Sequence, residues 1–318
     1  MNVLVTGGAG FIGSHLVDEL LNQGHYVLCI DNLSLGKKDN LNNAYKYKKN
    51  FHFQELDLLD YEKLKKVFEF NKFEMVYHLV ANSDISTGTM DPNVDFKDTF
   101  HSTFNILECM RSYNVTKIFF PSTSAIYGDT KNLISENSSR NPCSLYGAAK
   151  LSAEAYISAY CSLYGMQAWI LRLSNIVGPR STHGVIYDFI KKLKNDPNVL
   201  PVLGNGNQNK PYIHVEELVK CILFICQNSN KTFNDFNVAP KDIDIGIGPE
   251  NAKRWLRDGK TSFQPQEREM WNSIENLGFV DSWRKKYPED SSTYTWFDYR
   301  SRMFDDNPKR GLRIDHIM

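Results

Sequence analysis

Seven residues near the N-terminus constrain this chain more than any others: Gly7-Gly8-Ala9-Gly10-Phe11-Ile12-Gly13. They stand between a β-rich run, Asn2–Thr6, and a stretch of helical spacing through Leu16, Leu20 and Leu21 that Gly24 stops. In such a Gly-x-x-Gly-x-x-Gly turn the first glycine permits a tight reversal and the second lets backbone approach a pyrophosphate. The third allows helix and strand to pack closely. A pyrophosphate there meets the free N–H groups of the helix start. A second strand, Tyr26–Ile30, ends at Asp31, whose carboxylate can accept both ribose hydroxyls of NAD and would repel the 2′-phosphate of NADP. The candidate NAD-binding residues are therefore Gly7, Gly10, Phe11, Ile12 and Gly13 at the turn, with Asp31 and Asn32 beyond it. Further on, Leu58 joins them with Asp57, which can either contact the adenine amino group or cap the next helix.

The same alternation continues. Phe51–Leu56, Met75–Leu79, Ile118–Ser122 and Ala168–Leu173 are apolar runs of strand length. Helical spacing fills Tyr61–Phe70, Phe96–Tyr113, Leu145–Tyr164, Val185–Lys194 and Val215–Gln227. Strands alternating with helices predict a Rossmann doubly wound parallel sheet, α/β in class. His78, inside an apolar strand, reads as a packed core histidine. Basic and acidic residues balance at 37 each, which argues against a nucleic-acid or membrane partner. Scattered cysteines without a C-x-x-C pair, and a strand starting at once after Met1, predict a cytoplasmic protein without zinc or disulfides.

Residue usage changes near residue 234. All six cysteines lie at or before Cys226, whereas four of the five tryptophans (Trp255, Trp271, Trp283 and Trp296) come later. Two segments, 1–234 and 235–318, are expected. In the second, Asn251–Arg257 and Pro265–Leu277 read as helices, and Ser291–Arg300 and Leu312–Met318 as strands, with the chain stopping inside the last.

The chemistry centres on Thr123, Tyr146 and Lys150. Tyr146 and Lys150 are four apart on a helix and share one face. A nearby ammonium favours phenolate over phenol, which makes Tyr146 a general base for an alcohol or sugar hydroxyl. Lys150 can also hold the nicotinamide ribose. Thr123 falls where a strand ends at the cofactor crevice, placed to hydrogen-bond the substrate oxygen.

Five motifs together resemble the extended short-chain dehydrogenases, and among them the NAD-dependent nucleotide-sugar epimerases of the UDP-glucose 4-epimerase type. They are Thr6–Gly13, Asp31-Asn32-Leu33-Ser34, Ser122-Thr123-Ser124-Ala125-Ile126-Tyr127-Gly128, Tyr146-Gly147-Ala148-Ala149-Lys150 and Arg172–Arg180. The resemblance covers about residues 1–238. It implies a nucleotide-sugar substrate of the UDP-glucose/UDP-galactose type, oxidised reversibly at C4 through a 4-keto sugar. It places Ser124 and Asn175 near that substrate, and Lys210 where an arginine usually meets the nucleotide phosphates. Thr99 stands in place of a cofactor-binding asparagine. Dehydratase relatives carry an Asp-Glu pair after the threonine; here the residues are Ser124 and Ala125, so the acids for water elimination are missing. A homodimer through the Leu145–Tyr164 and Phe96–Tyr113 helices is the expected assembly.

From Asp235 onward the chain resembles the C-terminal part of exodeoxyribonuclease III. The residues are Asp235–Pro240, Asp242–Gly248, Trp255-Leu256-Arg257, Trp296–Ser301 and Gly311–Asp315. The resemblance implies a partial α/β fragment of the endonuclease/exonuclease/phosphatase type, with Asp235, Asn237 and Asp315 as vestigial nuclease positions. The metal-binding glutamate and the terminal Ser-Asp-His are absent, so no metal is expected. Three functions follow in order of preference: an epimerase impaired by its replaced C-terminal region, an NAD-binding protein without turnover, and a Mg-dependent abasic-site nuclease.

Overall fold

The computed structural model describes residues 1–130, 134–202 and 211–239. The four elements expected after residue 250 lie outside them. Seven strands form one parallel sheet in the order β3-β2-β1-β4-β5-β6-β9. They are β1 (Asn2–Thr6), β2 (Tyr26–Asp31), β3 (Phe51–Glu55), β4 (Met75–His78), β5 (Lys117–Thr123), β6 (Gln167–Leu173) and β9 (Phe233–Val238). The doubly wound sheet expected from the sequence is present, with strand ends within a residue or so of the apolar runs.

Helices cover both faces. On one side α1 (Phe11–Asn22) and α8 (Val215–Asn228) bury Leu16, Val17, Leu20, Leu218 and Ile222 against Val3, Val5 and Leu171. On the other, α2 (Tyr61–Phe70), α5 (Ser102–Ser112) and α6 (Leu145–Tyr164) bury Leu64, Ile106, Met110, Ala153 and Ile157 against Leu4, Val76, Ile118 and Ile170. Each fully buried leucine or isoleucine contributes about 1.5–3 kcal/mol of transfer free energy. Local chemistry sets the helix ends. Asp60 Oδ1 accepts from the Lys63 amide at the start of α2, and Ser144 Oγ from the Gly147 amide at the start of α6. Gly165, left-handed at φ 66°, closes α6.

Three features depart from the sequence reading. The expected Phe96–Tyr113 helix divides into a π-helical segment, Asp95–His101, and α5, preceded by α3 (Ile85–Met90) and α4 (Pro92–Val94). A small parallel pair, β7 (Asn175–Val177) with β8 (Tyr212–His214), was not foreseen, and α7 (Val185–Asn195) buries no residue among those described. The boundary expected at residue 234 falls inside β9. That strand pairs with β6 in continuous register from Ala168 opposite Phe233 to Leu173 opposite Val238, and Met1–Ala239 forms one compact unit. Ladder hydrogen bonds run through Asp235 and Asn237 and so draw them into the sheet. Phe-Asn occurs twice in β9, three residues apart; Phe233 packs with the α6 side and Phe236 with the α1/α8 side.

Among the described residues no helix is long and apolar enough to cross a membrane.

Asn234 anchors β9. Buried, it donates to Ala168 O at 2.9 Å and Lys231 O at 2.7 Å and accepts from the Lys231 amide at 3.1 Å. Asn234→Ala should lower unfolding free energy by about 1–3 kcal/mol, because both carbonyls and an amide lose this partner. Urea denaturation checks it, and an unchanged midpoint would mean that β9 adds nothing to the sheet.

Candidate active site

Strand order reverses between β1 and β4, and ligands of doubly wound sheets bind at the carboxyl ends of the strands around such a point. Gly7 stands at that end, left-handed at φ 69°, with its amide donating to Ile30 O at 2.7 Å. A Cβ on Gly7 would lie 2.9 Å from the Leu79–Val80 backbone, and one on Gly13 would lie 2.2 Å from Gly7 O. Gly10 is the N-cap of α1 and brings no side-chain cap, and no acidic residue occupies the first turn. The backbone at Gly10, Phe11, Ile12 and Gly13 therefore forms a cradle suited to an anion.

Asp31, 6% exposed, closes the next side. Its Oδ2 accepts from the Ala9 amide at 3.0 Å and its Oδ1 from the Leu33 amide at 2.8 Å. Burial pushes its carboxyl up, and those two amides oppose the shift. Asn32, Asp57 and Leu58 line a cavity together with Val80, Ala81 and Asp98. The two alternatives for Asp57 separate here: Asp60 caps α2, while Asp57 accepts from the Leu59 amide at 2.9 Å and from Asn32 Nδ2 at 3.3 Å.

At the other end, Thr123 finishes β5. Its Oγ1 accepts from the Ala125 amide at 3.2 Å. One turn along α6, Lys150 is buried, donates to Pro121 O at 2.7 Å and lies 4.4 Å from the Phe120 ring centroid. Burial pulls the Lys150 ammonium down to about 7, against the opposing pull of Glu154 and Asp95. Burial pushes the Tyr146 phenol up; the neighbouring Thr123 side chain works against this and the Asp95 charge adds to it. His78 is a core histidine. It is enclosed between Thr6 Oγ1 at 2.7 Å and Thr103 Oγ1 at 3.0 Å, and burial lowers its pKa to about 3.

The structure thus brings Thr123, Tyr146 and Lys150 together. Ser124 is exposed just beyond Thr123, and Asn175 stands on β7 with its Nδ2 donating to Pro211 O at 3.1 Å. Lys210 and Asp315 lie outside the described residues. Asp235 and Asn237 are engaged within the sheet: Asp235 Oδ2 accepts from Arg172 at 2.8 Å and Asn237 Oδ1 from Tyr127 OH at 2.7 Å. One cluster was missed. Asp95, 1% exposed, accepts from Asn82 Nδ2 at 2.9 Å, and the Asn82 amide donates to Thr99 Oγ1 at 3.1 Å. The available signal was polar residues at core spacing, Asp95, Thr99 and Thr103.

A glycine cradle at the switch point of a doubly wound sheet, served by a tyrosine–lysine pair, puts the protein in the dinucleotide-binding short-chain dehydrogenase class. More narrowly, residues 3–239 match the NAD dependent epimerase/dehydratase family, and the chain belongs to it. It is 36% identical over 263 residues to a putative UDP-glucose 4-epimerase of Methanocaldococcus jannaschii, covering 80% of each chain. The structure resembles that of a Thermotoga maritima UDP-glucose 4-epimerase with UDP-glucose, with TM-score 0.69 and 34% identity over 75% of this chain and 77% of that one. A further stretch of 84 residues is 56% identical to exodeoxyribonuclease III of Haemophilus influenzae, covering 26% of this chain and 31% of that protein. NAD is the family's cofactor. A cradle that any Cβ would obstruct, with a buried carboxylate beyond it, fits that group.

Two outcomes follow. Gly13→Ala should weaken NAD binding by roughly tenfold or more in calorimetry, since the methyl collides with Gly7 O. For Lys150 the folded, cofactor-free chain releases a proton near pH 7 that the unfolded chain holds to about 10.5. The unfolded state then binds more protons across that window, so this group makes stability rise with pH from about 7 to 10.5. Lys150→Met should flatten that slope in urea midpoints measured across the same range.

Proposed function

We propose that this protein interconverts UDP-glucose and UDP-galactose by reversible oxidation at the sugar C4, through a 4-keto sugar. The observation that carries the reading is Thr123 at the end of β5, with α6 resting on the turn that follows it and carrying Tyr146 and the buried Lys150 one turn apart. NAD, held at the crevice, supplies the oxidising power and returns it within one turnover. The backbone at Gly7, Gly10, Phe11, Ile12 and Gly13 holds its pyrophosphate and Asp31 its adenosine ribose, with Asn32, Asp57 and Leu58 around the adenine. Lys150 holds the second ribose and, when charged, favours the Tyr146 phenolate. Tyr146 Oη takes the proton of the C4 hydroxyl and later returns it, while Thr123 Oγ1 orients that hydroxyl. Ser124, Asn175 and Lys210 contact the nucleotide sugar.

Epimerisation is favoured over dehydration because Ser124 and Ala125 cannot move the protons that water elimination needs. Nuclease chemistry is disfavoured on the same kind of ground. Asp235 is committed to Arg172, and Asn237 to Tyr127. We infer a division of the chain in which Met1–Ala239 carries cofactor and catalysis and the remainder is an exodeoxyribonuclease III-like fragment. Exposed Phe96, Tyr156 and Leu163, on the π-helical segment and α6, support a homodimer through those helices.

Purified protein should carry NAD and convert UDP-glucose to UDP-galactose. Tyr146→Phe should lower kcat by about 10²–10⁴-fold, the usual worth of a positioned general base. Bound NAD without any conversion would overturn the epimerase reading in favour of a cofactor-binding protein.

A further inference from the structure

The residues assigned to catalysis ride on two separate elements. Thr123 ends β5, whereas Tyr146 and Lys150 belong to α6. Their mutual alignment depends on how α6 is held against the short turn Ser124–Tyr127 that follows Thr123. One tie is steric: a Cβ on Gly147 would lie 2.7 Å from Ala125 O, so the helix backbone rests directly on the turn. The second tie is made by Arg172, on β6.

We propose that Arg172 is a positioning residue for this reaction, locking α6 to the Ser124–Tyr127 turn through Glu154 on one side and Tyr127 on the other. The guanidinium is wholly enclosed, and a buried charge persists only when paired and hydrogen-bonded. Its Nε donates to Glu154 Oε1 at 3.1 Å and its Nη2 to Glu154 Oε2 at 2.9 Å. Its Nη1 donates to Tyr127 OH at 2.9 Å, and that hydroxyl passes its own proton toward Asn237 Oδ1 at 2.7 Å. Asp235 Oδ2 meets Nη2 at 2.8 Å from the strand beyond.

This arrangement sets direction as well as distance. A planar fork bonded twice to one carboxylate resists rotation, which a point charge would not. Glu154 lies one turn past Lys150 and two past Tyr146, so the clamp grips the same face of α6 that carries the catalytic pair. At the other end the turn is pinned twice, by Thr123 Oγ1 at Ala125 and by Arg172 at Tyr127. Reacting groups displaced by about 1 Å can lose about 10²-fold in rate, so slack between α6 and the turn falls on kcat.

The kinetic arm of the test rests on the epimerase reading; a second arm does not. Tyr127→Phe keeps the ring and removes only the hydroxyl that joins Arg172 to the turn. Tyr160→Phe is the matched control: it removes from α6 a part-buried hydroxyl that donates to Glu108, away from the catalytic end. Tyr127→Phe should lower kcat by about tenfold with KM and NAD affinity within about twofold, and Tyr160→Phe should leave kcat unchanged. In cofactor-free protein, amide exchange at residues 125–128 should quicken in Tyr127→Phe and stay unchanged in Tyr160→Phe. Arg172→Lys, which keeps charge but loses the fork, should lose more than Tyr127→Phe in whichever readout applies. A wild-type chain that does not epimerise sinks the functional reading, and exchange alone then decides this one. Exchange at 125–128 equal to wild type in Tyr127→Phe, a turnover-competent Tyr127→Phe with unaltered kcat, or equal losses in the Tyr160→Phe control would each overturn the proposal.

Discussion

The approach of Gly13 to the carbonyl of Gly7 is the contact on which the rest of the cofactor crevice depends. A methyl there would stand 2.2 Å from that oxygen, so only a hydrogen lets α1 close onto the end of β1. Because α1 closes, its first amides face the switch point of the sheet, and Ala9 comes within hydrogen-bond reach of Asp31. One steric allowance thereby fixes the places of both the anion cradle and the acid that borders it. Thr123, Tyr146 and Lys150 sit across the reversal, on β5 and α6.

Much of this was legible in the residues because the physics was local. Tyr61–Phe70 and Leu145–Tyr164 carry helical spacing between a clear cap and a clear stop, and both appear with those limits. The parallel sheet followed from apolar runs separated by helices, a pattern with few topologies open to it. Asp57 was ambiguous because an acid just before a helix serves equally well as a cap or as a lining group. Asp60, three residues on, takes the capping role.

Other features depended on contacts between distant segments. The Asp95–His101 segment has ordinary helical spacing, and nothing in its residues marks a widened turn. Its form becomes understandable only with Asn82 bonded both to Thr99 and to Asp95. Likewise β7 and β8, at residues 175 and 212, pair over a separation that no local pattern reports. Arg172 reads as an unremarkable residue in a strand. Its enclosure among Glu154, Tyr127 and Asp235 joins four parts of the chain, and removing one partner of such a buried pair typically costs about 3–5 kcal/mol.

The doubled Phe-Asn of β9 gives that enclosure another meaning. A strand containing the same dipeptide at two positions has two frames in which it could be laid beside β6, and an odd offset of three exchanges its faces. In the shifted frame Val238 would take the place of Asp235 before the Arg172 guanidinium, and a proline, Pro240, would take the place of the Asn237 amide that donates to Glu136. One frame satisfies a buried cation; the other withdraws a carboxylate from it and leaves Glu136 without its donor. The Arg172–Asp235 pair thus adds an electrostatic preference for the observed register to what the aromatic and amide side chains of β9 supply.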